Sequence, residues 1–265
     1  MKVVLVTIAV GEKYLNEYNF LFRKSHEHYA KRHGYDFRII TEPYDKTSKF
    51  TFETLRILST KMFICSYEWA QEYDYIIFVD ADVFINPEAP ALHSAYDFGD
   101  KIGIVDEYSQ PTREMRIQHQ IKSAKEVKSV PYSGLENGEW DTCAMDYYRI
   151  HIEKHLNTDS VFNTGVIVFQ PRKHREFMEQ TFEKHKANIL AHKNGFHYEQ
   201  VVVGYELQIN NMFKIIDNKW NAVWQMYKST CGYELDTFVK NNCFVHLAGH
   251  VDYHVIPYLN AKFYY

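Results

Sequence analysis

Tyr75-Ile-Ile-Phe-Val-Asp80-Ala-Asp82-Val-Phe-Ile-Asn86-Pro87 is an apolar run that ends abruptly in two carboxylates one residue apart. An apolar run without alternation marks a strand buried on both faces of a parallel sheet. In extended backbone, residues i and i+2 face the same side. Asp80 and Asp82 are therefore expected to project together from the carboxyl end of the strand, where open α/β sheets keep their ligands. Two hard oxygen ligands there suit Mg²⁺ or Mn²⁺ shared with a substrate phosphate. Asp and Asn also close ordinary strands with polar turns, so the meaning of the pair depends on its surroundings.

Upstream, strand and helix alternate. Val3 to Ala9 reads as a first buried strand, and a helix is expected from about Tyr14 to His33, with Leu15, Tyr18, Phe22 and Tyr29 near one face. Lys31, Arg32 and His33 suit its C-terminal dipole, and Gly34 suits a left-handed cap. Phe37 to Ile40 is a second strand. Leu55, Leu58, Met62, Cys65 and Trp69 step by three and four, which predicts a helix over roughly Glu53 to Glu72. Ile102 to Val105 follows Tyr75 to Val79 as a fourth strand. Downstream, strands are expected at Gly165 to Phe169, Phe213 to Ile216 and Cys243 to Leu247, with helices opening at Pro171 and Tyr198. The order predicts an α/β doubly wound fold, a mostly parallel central sheet flanked by helices. Residues 107–160 are polar and aromatic with turn signals at Pro131, Ser133-Gly134 and Asn137-Gly138. They read as an insertion in a single domain spanning residues 1–265, placed to cover the site.

Other candidates lie at the expected strand ends. His246, after an apolar stretch, suits a third metal ligand, although a satisfied core histidine has the same appearance in a chain with 14 His. Gly249 permits close backbone approach to a diphosphate. Asn163, Thr164 and Gly165 suit sugar hydroxyls, or an ordinary turn. Glu199 and Gln200 place a carboxylate beside an amide near a helix start, where the helix dipole alone also favours acid. Asp106 ends the fourth strand.

Composition narrows the classes. With 46% hydrophobic and 24% charged residues the chain can build a core, so disorder is not the default. A net charge of −4 leaves no general basic footprint for nucleic acid. No apolar run has the length of a spanning helix, and the start has no cleavage pattern. Cys65, Cys143, Cys231 and Cys243 show no CxxC pair, which suits a reducing compartment. Aromatics reach 16%. Tyrosine joins a large apolar face to a polar tip, so the excess suits either an aromatic core or sites that stack on sugar rings. Tyr132, Trp140, Tyr147 and Tyr148 in the insertion, and Phe162 and Tyr198 beside the proposed sites, are the candidates for stacking.

Together the motifs resemble those of nucleotide-sugar glycosyltransferases of the GT-A type. Tyr29-Ala-Lys-Arg-His-Gly-Tyr-Asp36 is similar to a signature of glycosyltransferase family 34, the galactosyl- and xylosyltransferases. Asp80-Ala-Asp82, Asn163-Thr-Gly165 and His246-Leu-Ala-Gly249 follow in that family's order, and the related family 8 shares the later motifs. The resemblance implies a GT-A, Rossmann-like mixed sheet and a UDP-sugar donor with Mn²⁺ (or Mg²⁺). It implies a metal site of Asp80, Asp82 and His246. Thr7, Ile8 and Ala9 would hold the nucleoside, Tyr14 would stack on the uracil, and Lys61 would face the donor phosphate or sugar. Val79, Asp80, Ala81, Asn163, Thr164, Gly165 and Gly249 would complete the donor site. Glu199, Gln200 and Asp106 would act around the transferred sugar. Both families retain anomeric configuration, and the resemblance leans to galactose.

There are departures. Asp252 stands where family 8 often has a lysine, leaving His250, another cation or the metal to neutralise the diphosphate. The insertion has no clear counterpart. The membrane anchor of eukaryotic family 34 members is absent, so a cytoplasmic location is expected. An acceptor on a lipid, lipopolysaccharide, capsule or protein would be the partner. The aromatic tail Pro257 to Tyr265 suits a buried tail, a subunit contact or a peripheral membrane contact at the inner face. Two other readings compete. A sugar nucleotidyltransferase would carry a Gly-rich basic loop after the first strand, where Ala9-Val-Gly11-Glu-Lys13 is poor in glycine. A sugar-binding protein without catalysis would not need intact metal ligands.

Overall fold

The structure is a computed structural model, and it describes residues 1–118, 144–191 and 198–264. Pro131, Tyr132, Ser133-Gly134, Asn137-Gly138, Trp140 and Cys143 lie outside the described residues.

The central sheet has six strands in the order β2-β1-β3-β6-β5-β7. They are β1 (Val3–Ile8), β2 (Asp36–Ile40), β3 (Tyr75–Val79), β5 (Ile102–Asp106), β6 (Phe162–Phe169) and β7 (Phe213–Ile215). Neighbours run parallel except at β6, which is antiparallel to both β3 and β5. The expected mixed, mostly parallel sheet is present. The reversal of β6 has a consequence for function. It brings the amino end of β6 to the edge where β3 and β5 have their carboxyl ends, so Gly165 precedes the Val79–Val166 register pair and lies beside Asp80. The apolar runs are continuous because both faces are covered. Val4, Val6, Ile76 and Phe78 enter one core, and Val3, Leu5, Ile77 and Val79 enter the other.

A second sheet joins β4 (Val83–Ile85), β9 (Phe244–His246) and β8 (Ala222–Val223) in the order β4-β9-β8. Strands this short carry no readable period.

Two expected helices are shorter than their apolar spacing suggests. The first divides at Phe22 into α1 (Glu12–Leu21) and α2 (Arg23–His33), where the Ser25 hydroxyl donates to the Phe22 carbonyl. Gly34 takes the left-handed cap at φ 66°. The second survives as α3 (Glu53–Ser59), followed by 3₁₀ turns over Thr60–Ser66 and Glu68–Glu72. The Ser59 and Thr60 hydroxyls both donate back to the Arg56 carbonyl, the local competition that weakens α-helix.

Further helices are α4 (Leu92–Ala95), α5 (Ala144–Ile152), α6 (Pro171–Ala191), α7 (Tyr198–Ile209), α8 (Trp224–Cys231), α9 (Leu235–Asn241) and α10 (Ile256–Phe263), and residues 113–118 are helical as well. Among the described residues no helix is long and apolar enough to cross a membrane, and Cys65, Cys231 and Cys243 are free thiols. The tail helix α10 buries Ile256 and Leu259, and Asn260 Nδ2 donates to the Leu21 carbonyl at 2.7 Å.

Within the described part of residues 107–160, two of the four aromatics expected to stack on acceptor sugars do not. Tyr147 and Tyr148 on α5 are buried in the main core with Phe162. They cannot present a face to a sugar.

His174 near the start of α6 is fully buried. It accepts from the Gln170 backbone N–H at Nδ1 and faces the Asp100 carbonyl with Nε2, 3.0 Å away. A carbonyl only accepts, so Nε2 carries the hydrogen and the ring is neutral. Burial, with help from Lys173, lowers its pKa to about 4. The unfolded ring takes a proton near pH 6.5 and the folded ring refuses it until about pH 4, so stability falls as pH drops through that window. Between pH 7 and pH 5 this group alone should remove about 2 kcal/mol. Urea unfolding of wild type and His174→Gln at both pH values checks it: the variant should lose distinctly less stability on acidification, and equal losses would contradict the assignment.

Candidate functional site

β3 stops at Val79, and the chain turns rather than continuing extended. Val83 N–H donates to the Asp80 carbonyl at 3.1 Å, the bond that closes a tight turn. Asp80 and Asp82 therefore converge by folding the backbone back, not by the i, i+2 geometry of a strand. The turn is pinned from both sides. Asp80 N–H donates to the Gly165 carbonyl at 2.8 Å, and Leu247 N–H donates to the Asp82 carbonyl at 2.9 Å.

His246 comes from β9, whose register pairs it with Val83. Its Nε2 lies 3.3 Å from Asp82 Oδ1 and 3.9 Å from Asp80 Oδ2. One ligand atom from each of Asp80, Asp82 and His246 lies within 4.8 Å of the others. Gly165 makes the space. A Cβ on it would stand 2.5 Å from the His246 ring and 2.8 Å from Asn163 Oδ1. Asn163, Thr164 and Gly165 lie inside β6 rather than in a turn before it, and all three serve as framework as well as facing the site.

Lys61, from the 3₁₀ segment after α3, is buried with its Nζ 2.8 Å from Asp80 Oδ1 and 3.0 Å from Glu199 Oε1. The ammonium expected to face a donor is thus already held by two carboxylates. Burial works against the charged form, but Asp80 and Glu199 overcome it and raise the pKa, so Lys61 is a cation. One ammonium cannot balance Asp80, Asp82 and Glu199 together, and the surplus is negative. Burial and the neighbouring Asp82 raise the Asp80 carboxyl despite Lys61. At Asp82 the opposing pull of burial is overcome by His246, which holds the carboxyl low. At His246 burial is likewise overcome, by Asp82 and then Asp80, and the ring is raised. Two carboxylates and an imidazole with surplus negative charge fit a hard or borderline divalent cation.

Glu199 and Gln200 sit in the first turn of α7 and are both buried. Thr164 Oγ1 donates to Glu199 Oε1 at 2.9 Å, and Thr164 N–H donates to Gln200 Oε1 at 3.3 Å. Asp106 differs from the expectation of a sugar contact. Its carboxylate accepts from the backbone N–H of Tyr108 and Val161, the Ser160 hydroxyl and the Arg113 guanidinium, which makes it a staple between β5 and β6. Thr7, Ile8 and Ala9 are buried, and Thr7 Oγ1 has no partner among the described residues. Val79 and Ala81 are buried on either side of Asp80.

Tyr14 is 37% exposed. Its phenol is pushed up by burial and then by the charges of Asp82 and Asp80. Gly249 takes φ 76°, with Gln225 Oε1 3.9 Å from where a Cβ would stand. His250 is exposed, 3.8 Å from Glu17. Asp252 is bound by Lys228 Nζ and Trp224 Nε1, each 2.8 Å away.

Sequence reasoning missed three residues. The Tyr253 phenol is raised by burial and then by the charges of Asp82 and Tyr14. Glu107 and Asn221 are buried polar groups that bond Asn163. None carries a local signal; position relative to His246 is the only hint for Tyr253.

No protein-family model matches the chain, and no curated protein does. Solved structures do. A glycosyltransferase involved in the glycosylation of the major capsid of PBCV-1 aligns over 98% of this chain and 100% of its own, at 16% identity and a TM-score of 0.56. The galactosyltransferase LgtC, in complex with donor and acceptor sugar analogues, aligns over 100% and 97%, at 11% identity and a TM-score of 0.55. The bifunctional glycosyltransferase WbbM aligns over 94% of this chain and 46% of its own, at 14% identity and a TM-score of 0.55. The fold is that of the GT-A glycosyltransferases. In the GT-A arrangement seen here, the reversed β6 and the second sheet bring Gly165 and His246 to the Asp80–Asp82 turn.

Gly165→Ala tests whether that approach matters. The added methyl meets the imidazole rather than solvent, so the ring must move. Mn²⁺ affinity, read by electron paramagnetic resonance, should fall roughly 10- to 100-fold, with a melting loss equivalent to about 1–3 kcal/mol. Unchanged affinity in a folded variant would show that His246 does not ligate.

Proposed function

We propose that the chain is a metal-dependent, retaining glycosyltransferase that moves a sugar, galactose favoured, from a UDP-sugar to a hydroxyl of a glycan acceptor. The observation that carries this reading is the Asp80, Asp82 and His246 group, set with surplus negative charge at the carboxyl edge of a GT-A sheet. The motif order supports the UDP-sugar and the retained configuration. Asp80, Asp82 and His246 would hold Mn²⁺ or Mg²⁺, which when bound neutralises a diphosphate leaving group.

The chain's own residues do the rest. The Gly249 backbone is left-handed and would let a phosphate approach closely, and Tyr14, on the helix after β1, would stack on the base. Transfer breaks the bond between the anomeric carbon and the diphosphate oxygen and forms a bond from that carbon to the acceptor oxygen. The acceptor proton passes to the departing diphosphate. Attack from the face the leaving group vacates keeps the configuration. This front-face route is preferred to a covalent one through Glu199, whose carboxylate is paired with the Lys61 ammonium and accepts from Thr164, contacts that hold it as a stabiliser rather than a nucleophile.

The described part of residues 107–160 supports an acceptor role. A cavity of ≈ 230 Å³ is lined by Tyr108, Arg113, Met145, Asn157, Thr158 and Asp159. A glycan or glycolipid acceptor would enter there, and a lipid-linked one would hold the enzyme against the inner face of a membrane from the cytoplasm.

The test is release of UDP from a panel of UDP-sugars with Mn²⁺, with and without EDTA and glycan acceptors. EDTA and Asp82→Asn should each slow release roughly a hundredfold or more, equivalent to losing several kcal/mol of charge stabilisation. Release that survives both removes the cation from the reading; no release from any donor removes the glycosyltransfer.

A further inference from the structure

A buried row of polar side chains leads from Arg116 to His246, and hydrogen-bond direction can be followed along it. Arg116 pairs with Glu107. A guanidinium stays charged and only donates, so the carboxylate opposite it accepts. Glu107 Oε2 then fixes the amides beside it. Asn163 Nδ2 lies 2.9 Å away and Gln200 Nε2 3.2 Å away, and both must be donors. With its amino group committed, Asn163 turns its oxygen the other way, where it accepts from Gly165 N–H at 2.8 Å. That backbone donor cannot be reversed, so it confirms the orientation independently of Glu107. The same oxygen accepts from Asn221 Nδ2 at 2.7 Å. Asn221 is therefore oriented too, and its oxygen faces His246 Nδ1 at 3.0 Å. An amide oxygen only accepts, so Nδ1 carries a hydrogen. Glu107, Asn163, Asn221 and His246 are all at most 7% exposed, so water does not compete for these groups.

We propose that Glu107, Asn163 and Asn221 form a one-way hydrogen-bond chain that keeps the hydrogen of His246 on Nδ1 and presents Nε2 to the cation, making Asn221 a positioning residue for the metal. The proposal rests on the metal reading of Asp80, Asp82 and His246. It adds why the third ligand is a histidine in this place. Gly165 supplies the space for the ring, and its N–H supplies one of the two fixed ends of the chain. The other fixed end is the Arg116–Glu107 pair, three side chains away from the ring. Among the described residues the Asn221 side chain bonds Asn163 and His246 and no hydrogen bond joins it to Asp80, Asp82 or Lys61, so its direct link to the acidic group is His246.

The experiment uses the full chain with ¹⁵N-labelled histidine. His246 nitrogens are assigned by their loss in His246→Gln and followed with and without Mg²⁺; Mn²⁺ affinity is read separately by electron paramagnetic resonance. In wild type, Nδ1 should be protonated in both states and Nε2 should respond to Mg²⁺. Asn221→Leu should weaken Mn²⁺ binding roughly 10- to 100-fold and mix the two His246 tautomers in a folded protein. A bare Nδ1 in wild type overturns the proposal, as does Asn221→Leu with wild-type affinity and spectrum. If Asn221→Leu does not fold, the wild-type spectrum alone decides. If wild type binds neither cation, the metal reading fails by itself. The chain is then supported by a metal-free spectrum at high pH in which the neutral ring keeps its hydrogen on Nδ1, and overturned by one in which the hydrogen sits on Nε2.

Discussion

The Lys61 ammonium, closed in between Asp80 and Glu199, is the contact on which the site's architecture depends. A buried ammonium without partners is prohibitive, and removing one member of a buried pair costs about 3–5 kcal/mol. Satisfying it requires the 3₁₀ segment after α3, the turn after β3 and the first turn of α7 to meet at one point. Those elements are far apart in sequence, and the reversed β6 runs between the last two. Its Thr164 hydroxyl takes part in the same arrangement through Glu199. Once the three elements meet, Asp82 has no ammonium of its own. Among the described residues its ionic partner is His246, and the uncompensated charge collects there.

The turn is braced from behind by a segment the sequence marks clearly. Tyr29-Ala-Lys-Arg-His-Gly-Tyr reads as a signature, and its Tyr29, Arg32 and His33 side chains bond the backbone that follows the turn. The Tyr29 hydroxyl donates to the Pro90 carbonyl and accepts from Leu92 N–H. His33 faces the Ala89 carbonyl, and Arg32 holds the Pro87 carbonyl and Glu88. Asn86 completes the brace, donating to carbonyls of Val239 and Asn242 while its own oxygen accepts from Glu88 N–H. The chain leaving Asp82 is thereby tied to α2 on one side and to α9 on the other.

Legibility in the sequence follows from how many neighbours a feature needs. β1, β3 and β5 show as apolar runs because both of their faces are buried, a property each residue carries by itself. The Asp80–Asp82 pair and His246 are visible because each ends such a run. The turn that brings the pair together is not visible, since Asp-Ala-Asp suits strand and turn alike. β4 and β8 are too short for a period, and β6 reads as a strand without revealing its direction. Asn221 and Glu107 are single polar residues whose role exists only after five elements have assembled. The tyrosine excess was legible as a number and ambiguous in meaning. Much of it proves to be core whose hydroxyls find partners: Tyr73 on Asp36, Tyr18 on His26, Tyr148 as acceptor from Gln208.

Direction is the property that ties framework to chemistry here. A sheet with β6 parallel would carry Asn163 and Gly165 to the edge away from Asp80, and His246 would lose both the space it occupies and the chain that orients it. The antiparallel register instead sets Gly165 against Asp80 through a backbone hydrogen bond and against His246 through the absence of a side chain. One residue thus fixes the distance between Asp80 and His246. Asn163, two residues before it, bears on the His246 ring through Asn221. Charge selects what can bind at the site, but strand direction decides that a site exists for the charge to act on.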